Sequence, residues 1–508
     1  VQTCALPIFF SAVLALLLAA WAIHCLRDRH PGYAVDLRID PRDTPEGART
    51  LRAGFGRVDI TPRTDDPRKP VWMAGFANGR AATGVHDELW ATATAIDDGH
   101  ARIGIVVLDA IGFFHDDVID VRQQLKAEWK FDYAIVCSTH SHSTPDLMGL
   151  WGPTHFQSGV DPVYRERVIH AAALALGQAA ESLQPARMSV HEIPTPPDGL
   201  VADAREPKVF DSDLRVMLFH SATNASILGS IVGWGNHPET PWSRNTLLTS
   251  DYPGVLREAL EHGITYDGKV HVPGLGGTHV FVNGAVGGLR TTHPGTTVRD
   301  PWLGRDFKEP SHEKTRALGH RLAQRILDRV STGSTPAVDH APIRVRARTL
   351  ELRIDNPNFL LAPLLGVLDR GHSRWRHMRT EMAALRIGDA SILCVPGEIY
   401  PEIVNGGVVR APGGDFDMEP QEVPPLRPLM PGAVKFVFGL ANDEVGYIIP
   451  KSEWDATPPW TVAPAGPYGE LLSAGPDTAP AIYRALSELV RDLENPGTGS
   501  HRDVNPHH

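Results

Sequence analysis

Cysteine is scarce: four residues in a chain of 508, too few for a disulfide framework. Cys4 and Cys25 belong to an N-terminal apolar segment. Cys137 and Cys394 end the apolar runs YAIVC and SILC. There they read as small buried hydrophobes on core strands, with a disulfide between the two as the alternative. Basic charge is also in short supply. Lys and Arg total 49 against 60 Asp and Glu, a formal net charge of −11. That balance lacks the cationic footprint of a nucleic-acid binder, so no nucleic-acid partner is expected. Internal repeats are missing, as is any long linker after residue 50. With 42% hydrophobic and 21% charged residues, most of the chain is neither disordered nor of low complexity.

Uninterrupted apolar runs are few, and one stands apart. Residues 5–26, ALPIFFSAVLALLLAAWAIHCL, carry no formal charge and are long enough to span a bilayer. They read as a signal anchor, with a cleaved signal peptide as the runner-up. Either reading places the bulk of the chain outside the cytoplasm, in the periplasm or beyond. Residues 1–26 are therefore assigned to this segment, and the mixed-charge stretch 27–50 to a tether. Residues 51–495 are assigned to one large catalytic domain, and 496–508 to a disordered tail.

Within the large domain, GRVDIT, ATATAIDD, ARIGIVVLDAIGF, YAIVCST, RMSVHEIP, LRVMLFHS, ASILGSIVGWG and THVFVNGA read as strands. Helices are predicted over 115–129, 161–182, from the Ser250-Asp251 pair to His262, and over 311–330. Strands and helices interleaved over this length indicate an α/β fold. Mixed β-sheets flanked by helices are expected, with the site at the strand ends.

Histidine is plentiful, at 24 residues, and four turns carry the chemistry. STHSHSTPD (138–146) follows the strand YAIVC directly. Two imidazoles at i and i+2 leave that strand end together, and metal binding is preferred over a pair of hydrogen-bonded loop histidines. The stretch is not the HxHxDH signature of metallo-β-lactamases, because Thr144 and Pro145 stand where that motif needs Asp and His. GWGNHPETPW (233–242) places His237 just past another apolar run. SILCVPGEIYPEI (391–403) places Glu398 after a buried strand, as a hard oxygen ligand or as a helix N-terminal carboxylate. FVFGLANDEVGYIIPKSEW (436–454) brings Asn442, Asp443, Glu444 and Tyr447 past a fourth. Each turn alone has an ordinary structural reading. Together they repeat one grammar: apolar strand, tight turn, potential ligand.

The ordered set GFGRVDITP, TH-S-HS, NHP, VPGE and GLAND-x-x-GYIIP resembles the neutral (non-lysosomal) ceramidase family and its divergent bacterial members. The resemblance covers most of residues 53–490. It implies a zinc-dependent amidohydrolase, with Zn²⁺ held by His140, His237, Glu398 and Tyr447. It also implies that His142 works beside the scissile amide, and that Tyr468, in YGELLSAGP, is a second catalytic residue. Asp109 and His86 are candidate supports for the ligands, or simply turn residues. Where the family reads Gly-Asp-Val-Ser-Pro, this chain reads NGAVGGLRTTHP, so the metal and the hydrolytic chemistry transfer better than the substrate. Amide cleavage in ceramide or another N-acyl lipid is expected. A metal-dependent esterase, lactonase or phosphoesterase on the same scaffold is the alternative.

Two stretches bear on substrate. NFLLAPLLGVL (358–368) reads as a buried core element, with an acyl-chain wall or a membrane-facing surface as alternatives. RGHSRWRHMR (370–379) reads as a solvated turn, with an anionic headgroup contact as the alternative.

Overall fold

The structure is a computed structural model that describes residues 5–41, 51–224, 226–289, 295–333, 335–462, 466, 467, 469–495 and 502–504. In chain order the strands of the two large sheets are β1 (Val35–Ile39), β2 (Arg52–Asp59), β3 (Trp90–Asp97), β4 (Arg102–Leu108), β5 (Tyr133–Ser138), β6 (Gln184–Ile193), β7 (Leu214–Ser221), β8 (Ile227–Trp234), β9 (Thr278–Asn283), β10 (Ile343–Arg353), β11 (His377–Ile387), β12 (Ala390–Cys394), β13 (Val434–Phe438) and β14 (Arg502–Val504). The first sheet has eight strands in the order β9-β8-β7-β6-β2-β3-β4-β5, and the second has six in the order β13-β12-β11-β10-β1-β14. Both are mixed. β8–β9, β4–β5 and β12–β13 run parallel, while pairs such as β3–β4 and β10–β11 run antiparallel.

The two sheets face each other across one apolar core. Ile105, Ile135, Phe219 and Val280 of the first meet Val345, Leu385, Ile392 and Phe436 of the second. Buried strands such as YAIVCS are apolar on both faces, because each sheet is covered on its outer side as well. Helix α3 (Pro162–Glu181), rich in Ala, lies over β2–β4. Gly54 and Gly56 allow that close approach, since a Cβ at either would meet the α3 backbone at 2.1 or 2.3 Å. Helices α4 (Asp251–His262) and α5 (His312–Ser331) cover β7–β9. The C-terminal helix α7 (Thr478–Glu494) covers β10 and β11. The result is a four-layer α/β/β/α arrangement, the mixed-sheet α/β fold expected from the sequence.

Several local expectations need correction. The segment read as a tether contains β1, paired with β10 along Asp36–Ile39. Val35, Leu37 and Ile39 are buried while Asp36 faces out, a period-two pattern that the surrounding charges obscured. Part of the stretch read as a disordered tail, Arg502–Val504, pairs with β1. The helix expected over 115–129 stops at Gln123, and Ala127–Trp129 forms a separate 3₁₀ turn. Ser250 caps α4 by position only, and its hydroxyl donates to Asp87 at 2.6 Å. Cys25, Cys137 and Cys394 are free and buried, so the disulfide alternative falls.

At the N-terminus, α1 (Ala5–Leu26) contains an 18-residue stretch, Phe9–Leu26, with mean hydropathy 2.2 and only 6% of it buried. By length and composition it can cross a membrane. It touches the domain through the short helix α6 (Pro357–Leu364).

Candidate metal centre

The four turns singled out in the sequence meet at one end of the sheets. His140 lies two residues past β5, with φ at +68°. That left-handed conformation is uncommon for a residue with a side chain. It folds the turn back so that the His140 N–H donates to the Ala110 carbonyl at 2.9 Å. His237 lies three residues past β8. The two turns are tied directly, because the His142 N–H donates to the Pro238 carbonyl at 2.9 Å. Glu398 follows β12, Tyr447 follows β13, and the two residues pair across a short parallel bridge. The chain after β13 then crosses to the other sheet. The Asn442 N–H donates to Val136 at 2.7 Å and the Ser138 N–H to Leu440 at 3.3 Å. The edge strand carrying His140 is thereby stitched to the loop carrying Tyr447.

Asn283, at the end of β9, holds the two histidine turns in register. Its side-chain amide donates to the carbonyls of Thr139 at 3.0 Å and Asn236 at 2.8 Å. Its Oδ1 accepts from the Asn236 and Gly284 N–H groups at 3.0 and 3.1 Å. Sequence reasoning passed over this residue, since an Asn closing a strand looks like an ordinary turn. Its only signal was its place at the same strand edge as the histidines.

The side chains converge. The ring nitrogens of His140, His142 and His237 offer ligand atoms all within 4.8 Å of one another, and all three residues are buried. Glu398 Oε2 lies 2.9 Å from His237 Nε2 and 3.4 Å from His140 Nε2. The Tyr447 hydroxyl lies 3.3 Å from His237 Nε2, and His142 Nε2 lies 3.5 Å from His140 Nε2. Adjacent donors around a tetrahedral zinc with bonds near 2.0–2.1 Å stand ~3.3 Å apart, so these separations fit such an ion.

The tautomers point the same way. His140 Nδ1 and His237 Nδ1 each lie 2.6 Å from a backbone carbonyl, of Ile111 and Leu289 respectively. An Nδ1–H donating to a carbonyl leaves Nε2 as a bare lone pair, the arrangement seen behind metal-bound histidines. That lone pair faces the Glu398 carboxylate. Two acceptors at 2.9 Å need a cation between them, either a proton or a metal ion. Burial lowers the His237 pKa from its ordinary value, which disfavours the proton. Burial alone would raise the Glu398 carboxyl, and only positive charge at the His140 and His237 rings holds it well below the usual carboxylate range, the part a bound cation would take.

Beside the cluster lies a cavity of about 280 Å³. Its walls are mostly apolar, with Phe76, Ile111, Phe114, Met148 and Phe359 among them, and His140, His142, Glu398 and Tyr447 form part of its lining. His142 packs edge-on against Phe76 with ring centroids 5.2 Å apart. Its Nδ1 is 3.6 Å from Glu239 Oε2, and burial pushes its pKa far down.

Superposition on solved structures gives the scaffold its name. The neutral ceramidase from Pseudomonas aeruginosa matches with a TM-score of 0.65 at 17% identity, covering 90% of this chain and 76% of that one. The chain has the neutral ceramidase fold. A ceramidase complexed with C2 matches with the same TM-score and identity, covering 79% of its length. No protein-family model matches, and no curated protein matches in sequence.

On this neutral ceramidase fold the structure brings together His140, His142, His237, Glu398 and Tyr447. Tyr468 lies outside the described residues. Asp109 and His86 have other partners. Asp109 forms a buried pair with Arg257 at 2.7 and 3.0 Å, and His86 pairs with Asp87 at 2.7 Å and stacks on His312. Each arginine of 370–379 has a carboxylate partner: away from solvent, Arg370 with Asp443 and Arg379 with Asp28 at 2.6 Å, and at the surface, Arg374 with Glu351 at 2.7 Å and Arg376 with Asp355 at 2.8 Å. The stretch 358–368 is not a core element: Leu361 and Leu365 are about half exposed, at 54% and 53%, while Phe359, Pro363 and Leu368 line the cavity.

Proposed function

We propose that this chain is a zinc-dependent hydrolase that cleaves the amide bond of an N-acyl lipid. In this reading α1 anchors it to a membrane, and residues 51–495 work on the extracytoplasmic side. The carrying observation is the pair of acceptors, His237 Nε2 and Glu398 Oε2, held 2.9 Å apart with His140 and Tyr447 alongside. His140, His237, Glu398 and Tyr447 are the proposed ligands. A zinc ion bound there would polarise a substrate carbonyl and lower the pKa of a bound water toward neutrality.

The chain's own residues supply the rest. The backbone carbonyls of Ile111 and Leu289 fix the ring orientation of the two histidine ligands. His142 stands beside the ligands at the cavity wall and is proposed to pass a proton from water to the leaving nitrogen. The apolar walls take up an acyl chain and exclude bulk water, so that each polar contact in the site acts at low dielectric. The names of the two ceramidase structures support an amide in a sphingolipid as the first substrate to try.

The test pairs metal analysis with a substrate panel. About one zinc per chain is expected in the parent and a loss of zinc in His140→Ala. Ceramide, N-acyl amino acids and simple esters are then assayed side by side. Undiminished zinc in His140→Ala, or turnover of esters alone, overturns the proposal.

A further inference from the structure

α6 is apolar and lies open on one side. Leu361 and Leu365, one turn apart on the same helical face, are about half exposed. Nearby segments continue the patch. Trp375 is 66% exposed, and Leu471 and Leu472 are 54% and 44% exposed. These pieces are physically joined. The Asn356 side chain at the start of α6 donates to the Leu471 and Ser473 carbonyls, both at 2.9 Å, and the Ile354 N–H donates to Arg376 at 2.8 Å. The opposite side of the same segment walls the cavity through Phe359, Pro363 and Leu368, and Leu472 joins them. The same apolar element therefore lines the cavity on one side and faces outward on the other.

The observation that selects the occupant is where α1 arrives. The Trp21 indole N–H donates to the Leu364 carbonyl, the last residue of α6, at 2.7 Å. Just past α1, Asp28 is held by both guanidinium nitrogens of Arg379 at 2.6 and 2.9 Å, and Arg29 pairs with Asp369. The end of the only described helix able to cross a bilayer is thus pinned to both flanks of the exposed apolar segment. A Trp at that point suits the membrane interface, where its ring is buried and its N–H is satisfied.

We propose that the α6 face, with Trp375 and Leu471–Leu472, docks into the surface of the lipid bilayer that α1 spans, so that the cavity wall sits against the acyl-chain region. This rests on reading α1 as a membrane anchor, as above, and names the surface through which an N-acyl lipid reaches the site. The exposed arginines of the segment, Arg374 and Arg376, are neutralised by Glu351 and Asp355, so the partner surface is a zwitterionic bilayer rather than an anionic one. Apolar burial drives the contact.

The full-length protein in phosphatidylcholine vesicles tests this without any assay of turnover. Nitroxide labels are placed at Leu361→Cys, Leu365→Cys, Leu16→Cys in α1 and Val270→Cys on a remote exposed strand, with the spectrum of the labelled parent subtracted. Positions 361 and 365 are expected to lose broadening by a water-soluble nickel chelate and to gain broadening by oxygen, as position 16 does, while 270 stays open to nickel. Lipid-like behaviour at 16 with nickel access at 361 and 365 overturns the docking and leaves the anchor and the metal reading intact. Loss of both relaxants at 361 and 365 means that protein covers the face, and overturns it too. Nickel access at 16 removes the anchor and the docking together, while zinc content remains a separate measurement.

Discussion

Glu398→Gln is the sharpest probe of the metal centre, because it removes a charge and almost no volume. The Gln amide N–H can donate to the His237 Nε2 lone pair where Glu398 Oε2 stood, 2.9 Å away, so the metal-free fold should lose little. Zinc binding should lose much. Removing a group that merely orients a ligand typically weakens metal binding about 10–100-fold, and Glu398 is proposed as a ligand itself. At zinc 100-fold above the parent Kd, binding stabilises the fold by about 2.7 kcal/mol. A 100-fold weaker variant at the same zinc concentration gains only about 0.4 kcal/mol. A folded body of about 450 residues unfolds with an entropy near 0.9 kcal/mol per degree. The parent Tm should therefore rise by about 3 °C on adding zinc to chelator-treated protein, and the variant Tm by less than half a degree. The assay is differential scanning fluorimetry, with His262→Ala, at a side chain 75% exposed, as the control for adventitious histidine binding. An equal shift in parent and Glu398→Gln, or the parent shift lost in His262→Ala, refutes the placement of the ion.

Three further outcomes follow from the same geometry. Asn283→Leu strips the clamp between the two histidine turns. It should lower stability by about 3–5 kcal/mol, read by urea melts, and weaken zinc about 10–100-fold; a change in stability with zinc affinity intact would reduce Asn283 to a fold residue. Gly75→Ala, at φ +110°, would put a Cβ 2.5 Å from the His142 side chain. It should keep zinc but cut turnover about 100-fold, and loss of zinc with activity would instead make His142 a required ligand. Burial pushes the pKa of His279 down to about 4, against 6.5 unfolded. Between those values the unfolded chain binds the extra proton, so this contribution is complete above pH 6.5 and is lost as pH falls toward 4. It amounts to about 2–3 kcal/mol by pH 4.5; His279→Gln should flatten that slope in urea melts at pH 7 and 4.5, and an unchanged slope would refute the assignment.

The site was legible because of where ligand-type residues stand relative to strands. His140, His237 and Glu398 each fall within a few residues of an apolar run that is buried along its C-terminal end. A strand end is where the chain can leave a packed layer with a polar side chain, so residue type and position agree. What the sequence withheld was the partner of each segment. β1 looked like a tether because Asp36 and Arg38 advertise solvent, and only its pairing with β10 shows that Val35, Leu37 and Ile39 face a core. Asn283 looked like a turn because the carbonyls it holds, at Thr139 and Asn236, lie 144 and 47 residues away. The stretch 358–368 misled for a deeper reason. Apolarity states that a surface avoids water, but a Leu gains about as much from a protein interior as from hydrocarbon. Pattern alone cannot separate the two surroundings. The proposal of a bilayer rests on two facts that no window of sequence contains: Leu361 and Leu365 are left uncovered by the fold, and Trp21 brings the apolar α1 to the end of that same helix.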